Sequence, residues 1–425
     1  MQSPRLALAI LVLTALGGAP LDAQSRHDHH YDEVDPWAGV GPREPGPDSA
    51  AVAGFLKALA SSDPLICQFV VSNIGNKWGP QHGEYETGKL AGENSQEAAR
   101  QALNRSVKDA SAISLLSQSL GDQHTCMRRG AAEMLGRSGN GEAVRQLRGA
   151  LRHENAEVRE AAALGLASAE DATAFHDLTR ALHDREPAVV RMAAYALGEL
   201  EDARAVKPLG ELLRSSDAET RATAANALGE IEDIRVTDRL APLVRDPDPR
   251  VRVAAVEALG EIEDHRASGA LTDALRDREV DVRRAAAEAL GEIENPRSAD
   301  ALARAINDPD VVVRRLAAQA LGELDNLKRA PTPLINALSS TDPALRVIAA
   351  MALGEIADSL ALPALSTAYR SEDPRLRYAV VRAVGEIEDR RGDAVLELAA
   401  AEKDSQIRRM AAEALKDRRD DDSDD

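Results

Sequence analysis

Residues 256–264 read VEALGEIED, and nearly the same nine letters stand at 225–233 (ANALGEIED) and 287–295 (AEALGEIEN). Outward from there the phrase returns as AEMLGR at 132–137, AYALGELED at 194–202 and AQALGELDN at 318–326. MALGEIAD at 351–358 and RAVGEIED at 382–389 complete the set. Its glycine falls at Gly136, Gly198, Gly229, Gly260, Gly291, Gly322, Gly354 and Gly385, with Ala167 and Lys416 in the two remaining slots. The step is 31 residues throughout, except for one of 32 between Gly322 and Gly354. Ten units of that regularity define an array, which overrides any domain count taken from chain length.

Each unit reads as two short helices. Eleven or twelve residues after the glycine slot comes a leucine: Leu147, Leu178, Leu209, Leu240, Leu271, Leu302, Leu334, Leu365 and Leu396, with Leu116 in the first unit. Four residues later another large side chain follows in nearly every unit, as in Leu151, Leu182, Leu213 and Leu275. A spacing of four puts both on one helical face. An Asp-rich turn comes next, often with proline, as in Asp246-Pro247 and Asp373-Pro374. Aspartate caps the free amides of the second helix, and proline suits its first turn. The second helix is rich in alanine, which lets neighbours approach closely. The glycine near its end is expected to permit the turn back.

The whole chain has 425 residues, with 71 Asp+Glu against 52 Lys+Arg, a formal charge of −19. Hydrophobic residues make up 44%, so the chain can fold. Aromatic residues make up only 2%, which argues against β-sandwiches and barrels. The negative charge repels phosphate backbones, so no nucleic acid is expected as a partner.

This spacing, carried by the Asp-Pro…Val-Arg and Ala-Leu-Gly-Glu-Ile phrases, resembles the HEAT-repeat superfamily, and specifically the HEAT-like repeats of phycobilin lyase (PBS lyase) subunits. The resemblance covers about residues 109–416. It implies an all-α fold: a right-handed α-solenoid of about ten 31-residue helical hairpins plus a degenerate N-terminal capping repeat, with the second helices lining the concave face. Two relatives are enzymes. Deoxyhypusine hydroxylase holds two irons with His-Glu pairs in its second helices. The matching slots here are Val253-Ala254, Arg284-Ala285, Arg315-Leu316 and Val347-Ile348. None carries His or Glu. The lyase resemblance implies tetrapyrrole handling, carried by repeat shape and by no identified residue. No catalytic set and no cofactor site is therefore assigned, and an enzyme or enzyme subunit of the lyase or hydroxylase type stands as the alternative.

Outside the array the sequence changes character. Residues 1–23 read as a secretory signal: Arg5, an apolar stretch from Leu6 to Leu16, then small residues before Gln24. No other run is long and apolar enough to span a membrane. An exported protein, periplasmic or secreted, is expected. Residues 24–48 read as a flexible linker, 49–76 as the capping repeat, 77–108 as a Gly-rich insert and 417–425 as an acidic disordered tail. Cys67 and Cys126 would then meet an oxidising compartment. They either pair or remain two small buried hydrophobes. His27, His29 and His30 are weak candidates for a metal site, against a polar leader. Trp78, His82 and Tyr85 in the insert either bind a partner or cover the cap.

Binding positions follow from disagreement among the units. Seven and three residues before the glycine slot lie four apart on the second helix, so they point the same way. At these two positions the units disagree: Arg129/Glu133, Arg191/Tyr195, Ala222/Asn226, Val253/Glu257, Arg284/Glu288, Arg315/Gln319, Val347/Met351 and Tyr378/Arg382. These positions are read as solvent-facing, with Tyr195, Val347, Met351, Tyr378 and Arg382 as contact candidates because aromatic residues, Met and Arg are enriched in interfaces. The recurring arginines (Arg128, Arg159, Arg252, Arg283 and their kin) are read as a structural ladder with aspartates. The acids after each glycine, such as Glu261, Glu263 and Asp264, form an edge that serves either solubility or attraction of basic partners or Ca²⁺. The expectation is a non-catalytic scaffold holding a protein or peptide along its groove.

Overall fold

A computed structural model describes residues 49–61 and 107–421 of the chain. They hold 21 α-helices and no β-strand. Helix α1 (Ser49–Ser61) is followed by hairpins α2–α3 (Ala110–Ser119, Thr125–Gly136), α4–α5 (Gly141–Ala150, Ala156–Ala169) and α6–α7 (Phe175–Ala181, Pro187–Glu199). Next come α8–α9 (Val206–Leu212, Ala218–Glu230), α10–α11 (Thr237–Leu240, Pro249–Glu261) and α12–α13 (Ser268–Ala274, Val280–Glu292). The rest are α14–α15 (Ala299–Ala305, Val311–Glu323), α16–α17 (Thr332–Ala337, Pro343–Ile356), α18–α19 (Leu362–Ala368, Pro374–Glu386) and α20–α21 (Asp393–Ala400, Ser405–Asp421). The ten hairpins fall where the 31-residue period puts them. The described residues divide into two compact units at Arg239/Leu240.

Within each unit second helix packs on second helix: α3, α5, α7 and α9 in the first, and α11, α13, α15, α17, α19 and α21 in the second. The first helices pack mainly on their own partners. All ten period leucines, from Leu116 to Leu396, are fully buried. Burying one leucine contributes ~2 kcal/mol, most of it offset by backbone ordering. In the first unit α1 packs on α2 and α3 through buried Val52 and Leu56. No helix of the described residues is long and apolar enough to cross a membrane.

The repeating glycine has a different task from the one expected. It is helical, and a methyl group on Gly198 would lie 2.9 Å from Ala227 Cα on the next second helix. On Gly322 it would lie 2.8 Å from Ala352 Cα. The glycines serve close helix approach. In the unit whose slot is Ala167, Gly165 does this instead: a methyl group on it would lie 2.6 Å from the Ala132 carbonyl oxygen. The chain reverses three or four residues later, at Glu170, Glu201, Glu232, Glu263, Glu294, Asn326 and Ala357, all with left-handed φ of 47–54°. Only the first hairpin places glycine there, at Gly139.

Capping divides the acidic edge. Asp202, Asp233 and Asp264 each accept the amide two residues on, starting a 3₁₀ turn that leads into the following first helix. Each also pairs with an arginine: Arg204, Arg235 and Arg266. Asp248, Asp310, Asp342 and Asp373 cap second helices through the amide two residues on, and Asp217 caps α9 through the Thr220 amide three residues on. The glutamates carry the rest of the edge.

The arginine ladder is present. Arg283 donates to the Asp277 carbonyl at 2.9 Å, within its own turn, and to the Asp308 carboxylate of the next at 2.9 and 3.0 Å. Asp277 in turn pairs with Arg252 of the preceding repeat. Arg159 spans His153, Glu154 and Asp184 alike.

The C-terminal boundary needs correction. Helix α21 runs on to Asp421, past the start of the expected disordered tail at 417. Arg418 holds it down, donating to the Val384 and Ile387 carbonyls at 2.5 and 2.6 Å and pairing with Asp393. It stands where most earlier repeats carry an isoleucine or leucine.

Candidate functional site

Alanine and leucine fill the buried positions of the second helices, so distinctive chemistry is confined to what those helices leave uncovered. In the first unit this face holds a cavity of about 320 Å³. Helix α7 supplies Ala188, Arg191, Met192 and Tyr195. Arg129 of α3 and Glu160 of α5 close one side; Glu219, Thr223 and Asn226 of α9 close the other. Spacings of three and four put Ala188, Arg191, Met192 and Tyr195 on one stripe of α7.

The charges in this cavity are already matched. Arg191 lies 3.2 Å from Asp217, the cap of α9, and 3.4 Å from Glu219. Arg129 lies 3.6 Å from Glu160. The Tyr195 hydroxyl bonds to Glu199, and its ionisation is pushed well above the ordinary range by burial, then by Glu199 and Glu133. Asn226 Oδ1 is buried without a hydrogen-bond partner. Beneath the face sits Glu133, 3% exposed, accepting the Ser168 hydroxyl at 2.6 Å. Burial raises its pKa to about 7, against the opposing pull of Ser168 and Arg137.

In the second unit the same face is acidic. Glu257 on α11, Glu288 and Glu292 on α13, and Glu323 on α15 are close enough to affect one another. Glu257 and Glu292 are exposed side chains on this face, set close to other carboxylates. Desolvation, followed by neighbouring carboxylates, raises each to about 7. For Glu292 those neighbours are Glu288, Glu263, Glu323 and Glu257. Here too arginines are tied down: Arg284 to Asp310 and Arg315 to Asp342, both at 2.8 Å.

The sequence-derived contact set is partly relocated. Tyr195 lines the cavity. Tyr378 and Arg382 are half-buried on α19, with Arg382 held between Glu355 and Glu386 at 2.9 Å each. Val347 and Met351 are 3% exposed each and belong to the core. Helix α17 is buried around most of its circumference, between α15 and α19, so an apolar pair at these positions goes inside. Glu160 and Glu219 were missed. Glu160 is seven residues before Ala167, so the same rule applied to the unit lacking its glycine would have found it.

Several expected sites lie outside the described residues: His27, His29 and His30, Trp78, His82 and Tyr85, and Cys67. Cys126, on α3, is disulfide-bonded. No cluster of His, Cys, Asp or Glu suited to a metal occurs among the described residues.

A comparison with curated proteins finds no match. Among solved structures, importin beta is similar in fold, with TM-score 0.55 and 15% identity over 86% of this chain and 57% of its own length. An engineered protein shares 23% identity over 72% of this chain and 98% of its own, at TM-score 0.48. The CpcE–CpcF complex of phycocyanin lyase from Nostoc sp. PCC7120 shares 21% identity over 58% of this chain and 92% of that chain, at TM-score 0.36. The family model for HEAT repeats matches residues 91–163, 144–219, 206–289, 270–334 and 331–416, together well over half of the chain. By that match and by its stacked helical hairpins, the chain belongs to the HEAT-repeat family.

Proposed function

We propose that this protein is an exported, non-catalytic scaffold that holds a protein or peptide partner along the face formed by its second helices. One contrast supports this. On those helices the buried positions are nearly uniform, while the uncovered ones differ from repeat to repeat: Arg191 and Tyr195, Asn226, Glu257, Glu288, Tyr378 and Arg382. Packing alone demands no such variety, whereas recognition of an irregular surface does. The partner is basic, because the second unit gathers Glu257, Glu288, Glu292 and Glu323 on this face and the chain carries −19 overall. Long-range attraction of that kind raises association rates most at low salt. Export rests on residues 1–23, and it places the protein in the periplasm or the medium.

Affinity capture from the exported fraction of the source organism tests this proposal, comparing the natural chain with a Tyr378→Ala/Arg382→Ala double variant. The variant should lose most of the captured partner while its thermal transition stays in place. Equal capture by both chains counts against the face.

A further inference from the structure

We infer that the cavity centred on Tyr195 receives a lysine or arginine side chain from an extended segment of the partner. This rests on the partner-holding proposal and gives it a chemistry.

The walls suit a long cationic side chain. Met192, Ala188, Ala227 and the Tyr195 ring offer apolar surface for a methylene stem. A cation over a tyrosine face gains from the ring quadrupole. Glu160 and Glu219 stand on opposite sides.

Charge then chooses between a cation and an anion. Of the two arginines of the lining, Arg191 is held by Asp217 and Glu219; Arg129 keeps a buried, unbonded Nε, yet Glu160 at 3.6 Å and Glu133 already answer its charge. Behind them stand Glu133, Glu199 and Glu230, all of which bear on the Tyr195 hydroxyl. Against these stand Arg137, 3.7 Å from Glu133, and Arg129 of the lining. The balance is negative, and an incoming carboxylate would meet repulsion. The buried Asn226 Oδ1 adds a requirement of its own, since an acceptor without a partner calls for an N–H. A peptide amide or the cation itself supplies one. A phosphate or carboxylate does not.

The test uses the full chain and fluorescently labelled Gly/Ser-rich decapeptides carrying two lysines, two glutamates or two norleucines, read by anisotropy. The lysine peptide should bind at least roughly tenfold more tightly than the glutamate peptide, and added salt should weaken it. Tyr195→Leu should weaken lysine-peptide binding roughly fivefold, while Tyr195→Phe, which keeps the ring, should retain it. Melting curves confirm that both variants fold. Equal binding of lysine and norleucine peptides, unchanged binding by Tyr195→Leu, or no binding of the lysine peptide at millimolar concentration overturns the inference. If the Tyr378/Arg382 variant loses its captured partner yet no lysine preference appears, only the cation assignment fails.

Discussion

Gly354 on α17 and Ala383 on α19 approach so closely that a methyl group on the glycine would lie 2.8 Å from the alanine Cα. A glycine within a helix ordinarily costs 0.5–1 kcal/mol relative to alanine, so a glycine kept only by accident would be improved by substitution. The close approach reverses the sign. Gly354→Ala should destabilise the second unit by about 1–3 kcal/mol, as overpacking does. Urea unfolding monitored by circular dichroism measures it, and a gain in stability would show that the helices do not need this contact.

The left-handed glutamates make a second prediction. Glu263 holds φ at 52° where a non-glycine residue is strained by roughly 1–2 kcal/mol. Glu263→Gly should raise stability by about 0.5–1 kcal/mol after the added freedom of the unfolded chain is counted. It should also remove one of the carboxylates acting on Glu292. The two effects part company when partner association is measured. The variant should melt later and bind more slowly at low salt. Slower binding with no gain in melting temperature would mean that the turn is not strained.

Stability should depend on pH in the less usual direction. Glu133 titrates at about 7 in the folded chain against an ordinary 4.5; Glu257 and Glu292 shift the same way, but they are exposed and solvent screening leaves them a smaller share. A raised folded pKa stabilises the fold below about pH 4.5, and that stabilisation is lost as pH rises through about 7. Asp310 works the other way: Arg284 holds it at about 2, so its contribution is present above the ordinary value of 3.8 and is lost as pH falls toward 2. Melting temperature should therefore peak in weak acid and decline from pH 5 to pH 8. Glu133→Gln, which keeps an acceptor for Ser168, should flatten the decline and gain about 2 kcal/mol at pH 8. A melting temperature that rises across that range would contradict the burial of Glu133.

Cys126 is disulfide-bonded, and Cys67 is the only other cysteine in the sequence. Pairing within one chain predicts no free thiols when denatured, unreduced monomer reacts with a thiol reagent, and two after reduction. Two thiols before reduction would show that the bridge does not form.

The period made most of the fold legible. A leucine every 31 residues has to be a core position, and Asp before a helix has to be a cap, because local geometry leaves few alternatives. The turn was harder to see. Glutamate is a poor left-handed residue, and the nearby glycine drew the reading toward itself although Gly198 and Gly322 stand inside helices. Disagreement among repeats found Tyr195, Asn226 and Glu257. It could not separate them from Val347 and Met351, because variation records a loss of constraint at the surface and a local change of core composition alike. The buried Glu133 takes its hydrogen bond from Ser168, 35 residues away, and no pattern within one repeat reports it.

The central claim is that the second-helix face holds a partner segment, and site-specific photo-crosslinking tests it most directly. A benzophenone side chain would replace Tyr195 or Glu288 on that face, and Lys207 or Glu397 on exposed first-helix positions. Incubation with the exported fraction at low salt should give crosslinks to the same basic protein from Tyr195 and Glu288 and none from Lys207 or Glu397. Crosslinks from the first-helix positions alone, or in equal yield from all four, would contradict the account.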